Sequence, residues 1–388
     1  MGGAGLIIES SISPDGRYIL HRRLKRPFSY AVTASGFPEE VFVTDRRGRE
    51  VRAIAARPAP LASLAGLSSG PRAVQWRADA PATLFWAERR SAGEAGDRLF
   101  LLEAPFAGAP RPLAEVGMHF QSIYWGRPDL ALAVGIAPGT RAVQRIVIDP
   151  SGAETAHLLQ PRAASRQPAA IGLLEWTAGI LHLTGDGGRA LVEVPDGLGL
   201  LDLGTGDLAA LWSEEPGEEL FAVLDRDADR LLSWRETRTA PPNLVLTDRT
   251  RTGARQRPVT SFPDPAPAYA GLKAERNRYR RADGRALAGT LYLPAAYDPV
   301  RDGALPALIW AYPGSVTGED RAPAPAGPRQ SFARPTGFED IPLLMTGRGY
   351  AVFRADMPLF QSAGAPPTDT YVPQIVANAE AAVAALVE

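Results

Sequence analysis

From residue 6 to about 262 the apolar positions fall in short runs separated by turns bearing Asp, Gly and Pro, with almost nothing at helical spacing. Arg17-Tyr18-Ile19-Leu20, Val41-Phe42-Val43, Thr83-Leu84-Phe85-Trp86, Leu99-Phe100-Leu101-Leu102, Ala131-Leu132-Ala133-Val134, Ile146-Val147-Ile148 and Asn243-Leu244-Val245-Leu246 each predict a strand. A weak repeat runs through them. The Asp-Gly turn Ser13-Pro14-Asp15-Gly16-Arg17 leads into a strand, and related turns recur at Trp76-Arg77-Ala78-Asp79, Trp125-Gly126-Arg127-Pro128-Asp129 and Asp225 to Arg230. A second strand in each unit ends in an Asp, as at Asp45, Asp149 and Asp248. The period of roughly 45 to 60 residues is near that of a four-stranded propeller blade, and predicts about five blades near residues 6–60, 72–115, 120–160, 171–212 and 218–260.

Residues 258–268 form a Pro-rich joint, and beyond it the pattern changes. Asp283-Gly284 is a hairpin turn between Asn277–Arg280 and Ala288–Leu293. Leu305 to Ala311 is nearly continuously apolar, which predicts a strand buried on both faces of a largely parallel sheet. A long Pro/Gly loop over 313–340, a short helix over Ile341–Met345 and a second buried strand over Gly349–Arg354 follow. The last helix, Tyr371 to Val387, places Val372, Ile375, Val376, Ala379, Val383 and Leu386 on one face, with Thr368, Asp369 or Thr370 as its cap. Strand, helix, strand, helix in succession is α/β winding.

At 388 residues the chain suits two units, expected at 1–262 and 263–388. A formal net charge of −1 gives neither nucleic acid nor an anionic membrane any long-range attraction, so no partner of either kind is expected. The absence of Cys removes disulfides, thiolate metal sites and cysteine chemistry together. No stretch approaches the ~20 apolar residues of a membrane span. Met1 to Ser11 lacks the cationic start of a secretory signal, and the compartment is left open. Arg supplies nearly all the positive charge, with Lys only at 25 and 273.

Gly66-Leu67-Ser68-Ser69-Gly70 matches Gly-x-Ser-x-Gly, but a nucleophile elbow needs a strand before the serine and a helix after it. Here a Pro/Ala-rich stretch precedes and Pro71 follows, so Ser68 is expected in a loop between blades. His21, His119, His157 and His182 all lie in the first unit, without a serine-plus-acid motif or metal-ligand spacing, and are expected to be ordinary strand or loop residues. Gly204-Thr205-Gly206 reads as a hairpin turn, since a dinucleotide loop opens a helix. No cofactor or metal site is expected. Tyr312 follows a buried strand and precedes Pro313-Gly314, at the carboxyl end of the sheet where open α/β folds bind ligands. Its hydroxyl suits either an oxyanion donor or a tyrosine packed under the long loop.

Tyr279-Arg280-Arg281-Ala282-Asp283-Gly284, Leu291-Tyr292-Leu293-Pro294, Leu305 to Pro313, Gly349-Tyr350-Ala351-Val352 and Thr370 to Glu380 together resemble the prolyl oligopeptidase family of serine peptidases. The resemblance is to its glutamyl endopeptidase branch, whose propeller is matched by Ser13 to Arg17 and Arg26 to Tyr30. It implies a partial β-propeller followed by the N-terminal half of an α/β-hydrolase domain, the propeller limiting access to peptides or unfolded polypeptide. It also implies an oxyanion role for Tyr312, and places the nucleophile, acid and base beyond Glu388, so that this chain alone is expected to be inactive. A non-catalytic binding module and an esterase of the same fold are the alternative readings.

Overall fold

The computed structural model describes residues 6–28, 30, 33–34, 37–57, 70–90, 94–140, 142–152, 156–159, 162–163, 171–237, 239–250, 253–317, 332, 338–360 and 369–387. Among these described residues six sheets form, broadly in chain order. Sheet one is an antiparallel meander of Leu6–Ile12, Tyr18–Leu24, Glu39–Asp45 and Glu50–Arg57. Sheet two repeats it with Arg72–Trp76, Thr83–Arg89, Asp97–Glu103 and Arg111–Val116. Sheet three is built on His119–Arg127, Leu130–Ile136, Val143–Ile148 and Ala156–Leu159, and sheet four on Gly172–Leu173, Arg189–Val194, Gly197–Asp202 and Asp207–Ser213. Sheet five comprises Glu218–Val223, Arg230–Arg235, Asn243–Asp248 and Arg255–Pro258. These five sheets occupy the segments in which the sequence repeats.

The turns explain why the sequence repeats there. The Asp that closes the third strand is an acceptor for the turn that follows it. Asp45 Oδ1 takes the Arg47 and Arg49 amides at 2.9 and 3.0 Å, Asp149 Oδ1 that of Ser151 at 2.8 Å, and Asp202 Oδ1 those of Gly204 and Thr205 at 2.9 and 2.8 Å. Gly204-Thr205-Gly206 is therefore the hairpin turn its context predicts. At the first turn, Asp15 Oδ1 accepts from Ser13 Oγ at 2.7 Å, and Gly16 adopts a φ of +70°, which a side chain rarely tolerates.

Two compact units divide the chain, Met1–Ser213 with Leu224–Asp229, and Glu214–Val223 with Arg230–Glu388. In the first, successive sheets pack face to face. Alternate residues of Thr83–Arg89 point to opposite sides, so Leu84 and Trp86 join Leu20, Val41 and Val43 of sheet one, while Phe85 and Ala87 join Phe120, Ile123 and Trp125 of sheet three. Leu132 and Val147 of sheet three likewise meet Val192 and Leu201 of sheet four. Covering both faces is why these strands read as apolar runs and not as alternating ones.

Arginine forks cross the seams. Arg77 donates to both Asp79 oxygens through Nε and Nη2 at 2.7 and 2.8 Å, and its guanidinium lies 4.8 Å from the Trp125 ring of the next sheet. Arg127 pairs with Asp129 at 2.6 Å and donates to the Gly187 carbonyl at 2.7 Å.

The second unit carries the mixed sheet six, in spatial order Lys273–Arg280, Ala286–Leu293, Ala351–Phe360, Ala307–Thr317. The first three are antiparallel neighbours and the last two are parallel. Gly284, at a φ of +85°, closes the hairpin predicted at Asp283-Gly284. The short helix expected near 341–345 is a 3-10 segment, Phe338–Arg348, and Tyr371–Val387 is α-helical.

Three expectations change here. The strand beginning after Pro306 is not buried on both faces, since it pairs on one side only among the described residues and leaves Trp310 37% exposed. The second parallel strand extends past Arg354 to Phe360. The helix packs only half of the face read from its periodicity, Ile375, Ala379 and Leu386, and turns the valines of that face outward. Val372, Val376 and Val383 are exposed, whereas Gln374, Asn378, Ala381 and Ala382 are buried and Ile375, Ala379 and Leu386 pack beside them. Two buried amides set the rotation of the helix, because an unpaired amide inside a protein costs more than an exposed valine gains by burial.

Candidate functional site

The parallel ladder of sheet six runs from Ala307↔Ala351 through Trp310↔Arg354 and Tyr312↔Asp356 to Thr317↔Phe360. Phe353, Ala355 and Met357 point to one face, where Ala382 of the helix meets them. Strand alternation therefore puts Arg354 and Asp356 on the opposite face, and lateral pairing puts Trp310 and Tyr312 beside them. Tyr312 lies within the strand Ala307–Thr317, not after it, and is 84% exposed. It is not packed under any described segment.

Beside Tyr312 in the register, Asp356 forms an ion pair with Arg276, which reaches over from the far strand of the sheet. Arg276 Nη1 also donates to Thr290 Oγ1 at 3.3 Å on the strand between. The pair is felt by its neighbours. The Tyr279 hydroxyl is buried without a hydrogen-bond partner among the described residues, and burial first, then the Asp356 charge, pushes its pKa up to about 12, with Arg276 opposing.

The end of the same strand is held from the helix. Gln374 accepts the Phe360 amide at 2.8 Å and returns a bond to the Phe360 carbonyl at 2.9 Å. One turn on, Asn378 donates to the Pro358 carbonyl at 3.0 Å and accepts from Arg281 Nη1 at 3.0 Å. Arg281 is oriented by Asp283, whose carboxyl it holds well below the usual carboxylate range. Arg281 and Arg285 lie 5.5 and 4.3 Å from the Phe360 ring.

Of the residues considered from sequence, Ser68 lies outside the described residues, as does Thr368. Among the histidines, His21 bonds Ser10 Oγ at 2.8 Å and Thr44 Oγ1 at 3.0 Å, a serine contact with no carboxylate behind it. His157 and His182 bond the carbonyls of Leu203 and Arg226 at 3.3 and 3.1 Å. No group of three His, Asp or Glu converges to hold a metal among the described residues. The sequence reading missed Arg276, Asp356, Gln374 and Asn378. A signal existed for Asp356, because Arg354 and Asp356 interrupt the apolar run Ala351–Phe360 at a spacing of two, the mark of one polar face.

No family model matches the chain. Over 412 aligned residues it is 32% identical to the Arabidopsis thaliana protein named "Probable glutamyl endopeptidase, chloroplastic", covering 96% of this chain and 42% of that protein. Along nearly its whole length the chain is thus similar to proteins named as glutamyl endopeptidases. The Oryza sativa subsp. japonica protein of the same name is 29% identical, covering 95% of this chain and 43% of the relative. This glutamyl endopeptidase relative thus spans less than half the length of the curated proteins it matches. Its fold also resembles the crystal structure of Porphyromonas gingivalis dipeptidyl peptidase 4, with a TM-score of 0.54 at 10% identity over 97% of this chain and 54% of that one.

Proposed function

We propose that residues 1–262 are a partial β-propeller and residues 263–388 the first part of an α/β-hydrolase domain of a serine peptidase that cleaves peptide bonds through an acyl-enzyme. The observation that carries the reading is the relationship to glutamyl endopeptidases along 96% of the chain. Five successive sheets, four of them stacked face to face within one unit, are what a propeller requires. The parallel pair with Tyr312 on its open face is what an oxyanion donor at this position requires.

In this reading Tyr312 donates its hydroxyl to the oxygen that gains charge as the acyl-enzyme forms. The propeller restricts substrates to peptides or unfolded polypeptide, and acidic residues at the cleavage site follow from the names of the relatives. No residue of 1–388 is assigned as nucleophile, acid or base in this reading.

Labelling with a serine-directed phosphonate tests this. The 388-residue chain is expected to take up no label, while a product extended past Glu388 is labelled at a Gly-x-Ser-x-Gly serine and hydrolyses glutamyl peptides. Labelling of residues 1–388, at Ser68 above all, or an extended product that neither labels nor cleaves, would overturn it. In the active product Tyr312→Phe is expected to lower kcat by roughly 10²-fold or more, the usual cost of an oxyanion donor.

A further inference from the structure

An oxyanion donor needs surroundings that do not repel the charge it serves. Tyr312 has a carboxylate as its lateral neighbour, Asp356, on the same face of the sheet. A bare carboxylate there would oppose a developing oxyanion as a like charge, attenuated by the solvent that reaches Tyr312. The structure removes the problem with Arg276, brought across the sheet from Lys273–Arg280 and supported by Thr290 on the way. About two-thirds of each side chain's surface is covered by protein, with 30% of Arg276 and 34% of Asp356 exposed, so the two charges largely offset each other within the site.

We propose that Arg276 is a positioning residue of the oxyanion site: by neutralising Asp356 it gives the Tyr312 hydroxyl a field in which negative charge can develop. This rests on the oxyanion role assigned to Tyr312 above. The two charges act in opposite senses at the nearby Tyr279 phenol, whose pKa is raised first by burial and then by Asp356, with Arg276 working against them. A role confined to tethering the far strand would make any loss of the ion pair equally harmful. An electrostatic role makes the order of removal matter, since taking away Arg276 alone leaves the hostile charge and taking away both leaves none.

Two measurements separate these. In the extended, active product, Arg276→Met is expected to lower kcat roughly tenfold to hundredfold, the Coulombic scale of one uncompensated charge at this range, with KM within about twofold. Adding Asp356→Asn is expected to restore kcat to within about threefold of the starting value. A double variant as impaired as Arg276→Met, or an Arg276→Met variant of undiminished kcat, would sink the proposal. On the 388-residue chain itself, with ¹³C-labelled tyrosine and Tyr312→Phe for assignment, the Tyr312 ring Cζ resonance is expected to move in Arg276→Met and return in the double variant. If that resonance stays put, Asp356 does not act on Tyr312 and the proposal fails even where the peptidase reading stands. If the resonance moves and returns but the extended product is inert, the peptidase reading fails while the field at Tyr312 is confirmed.

Discussion

A single buried ring shows how much one residue can carry. His182, 2% exposed, meets the Trp176 ring edge-on at 5.1 Å and bonds the Arg226 carbonyl through Nε2 at 3.1 Å. Burial lowers its pKa below the ordinary histidine value, with the Arg226 charge acting in the same sense and the hydrogen bond to the Arg226 backbone and the nearby Asp225 opposing it. The unfolded chain therefore takes up a proton more readily than the folded one. Stability is complete above the unfolded value near 6.5, and falls as pH drops from there toward the lower folded value. The midpoint of urea unfolding is expected to decline from pH 7.5 to 5.5, and His182→Gln, whose amide can still donate to Arg226, is expected to flatten that decline. An unchanged slope in the variant would assign the pH dependence elsewhere. Nothing in the local sequence marks His182 for this, since its setting is made by Trp176 and by a carbonyl 44 residues away.

At the scale of elements, the last helix is where pattern and structure part. Its apolar periodicity favours the valines, yet the packed side is chosen by Gln374 and Asn378, which satisfy backbone groups at the end of the strand Ala351–Phe360. A hydropathy scale counts both amides as polar and turns the helix outward on them, because it cannot see which carbonyls await a partner. Asn378→Leu is expected to cost about 2–4 kcal/mol by orphaning the Pro358 carbonyl and the buried Arg281, whereas Val376→Ala stays within about 0.5 kcal/mol. Equal losses by chemical denaturation would return the valine face to the core. The strands of the first unit were legible for the opposite reason. Their turns are closed locally by Asp15, Asp45, Asp149 and Asp202, so short sequence motifs contain the whole cause. On the face that carries Tyr312, Arg276 and Asp356 come together over 80 residues, beyond the reach of any local pattern.

Across the whole molecule, arginine stands almost alone as the cation, and the seams of the first unit give that preference a physical meaning. The Arg77 guanidinium makes a two-point bond to Asp79, stacks on Trp125 and reaches the Pro128 carbonyl at 3.3 Å. A planar fork can do these together and an ammonium cannot. Arg77→Lys is therefore expected to lower unfolding stability by about 1–2 kcal/mol despite keeping the charge, and more than Arg127→Lys at its more exposed seam. Urea titration of the two variants checks the order, and indifference to both would reduce the forks to surface pairs. The same feature decides which reagents the molecule notices. Lys25 and Lys273 are its only lysines, the first exposed just past the strand Tyr18–Leu24 and paired with Glu40 at 3.6 Å, the second donating to the Tyr297 carbonyl at 2.7 Å. Amine-directed tags and cross-linkers find two side chains and pass over Arg77 and Arg127, while a dicarbonyl that modifies guanidinium groups reaches Arg127, 43% exposed, ahead of Arg77 at 11%.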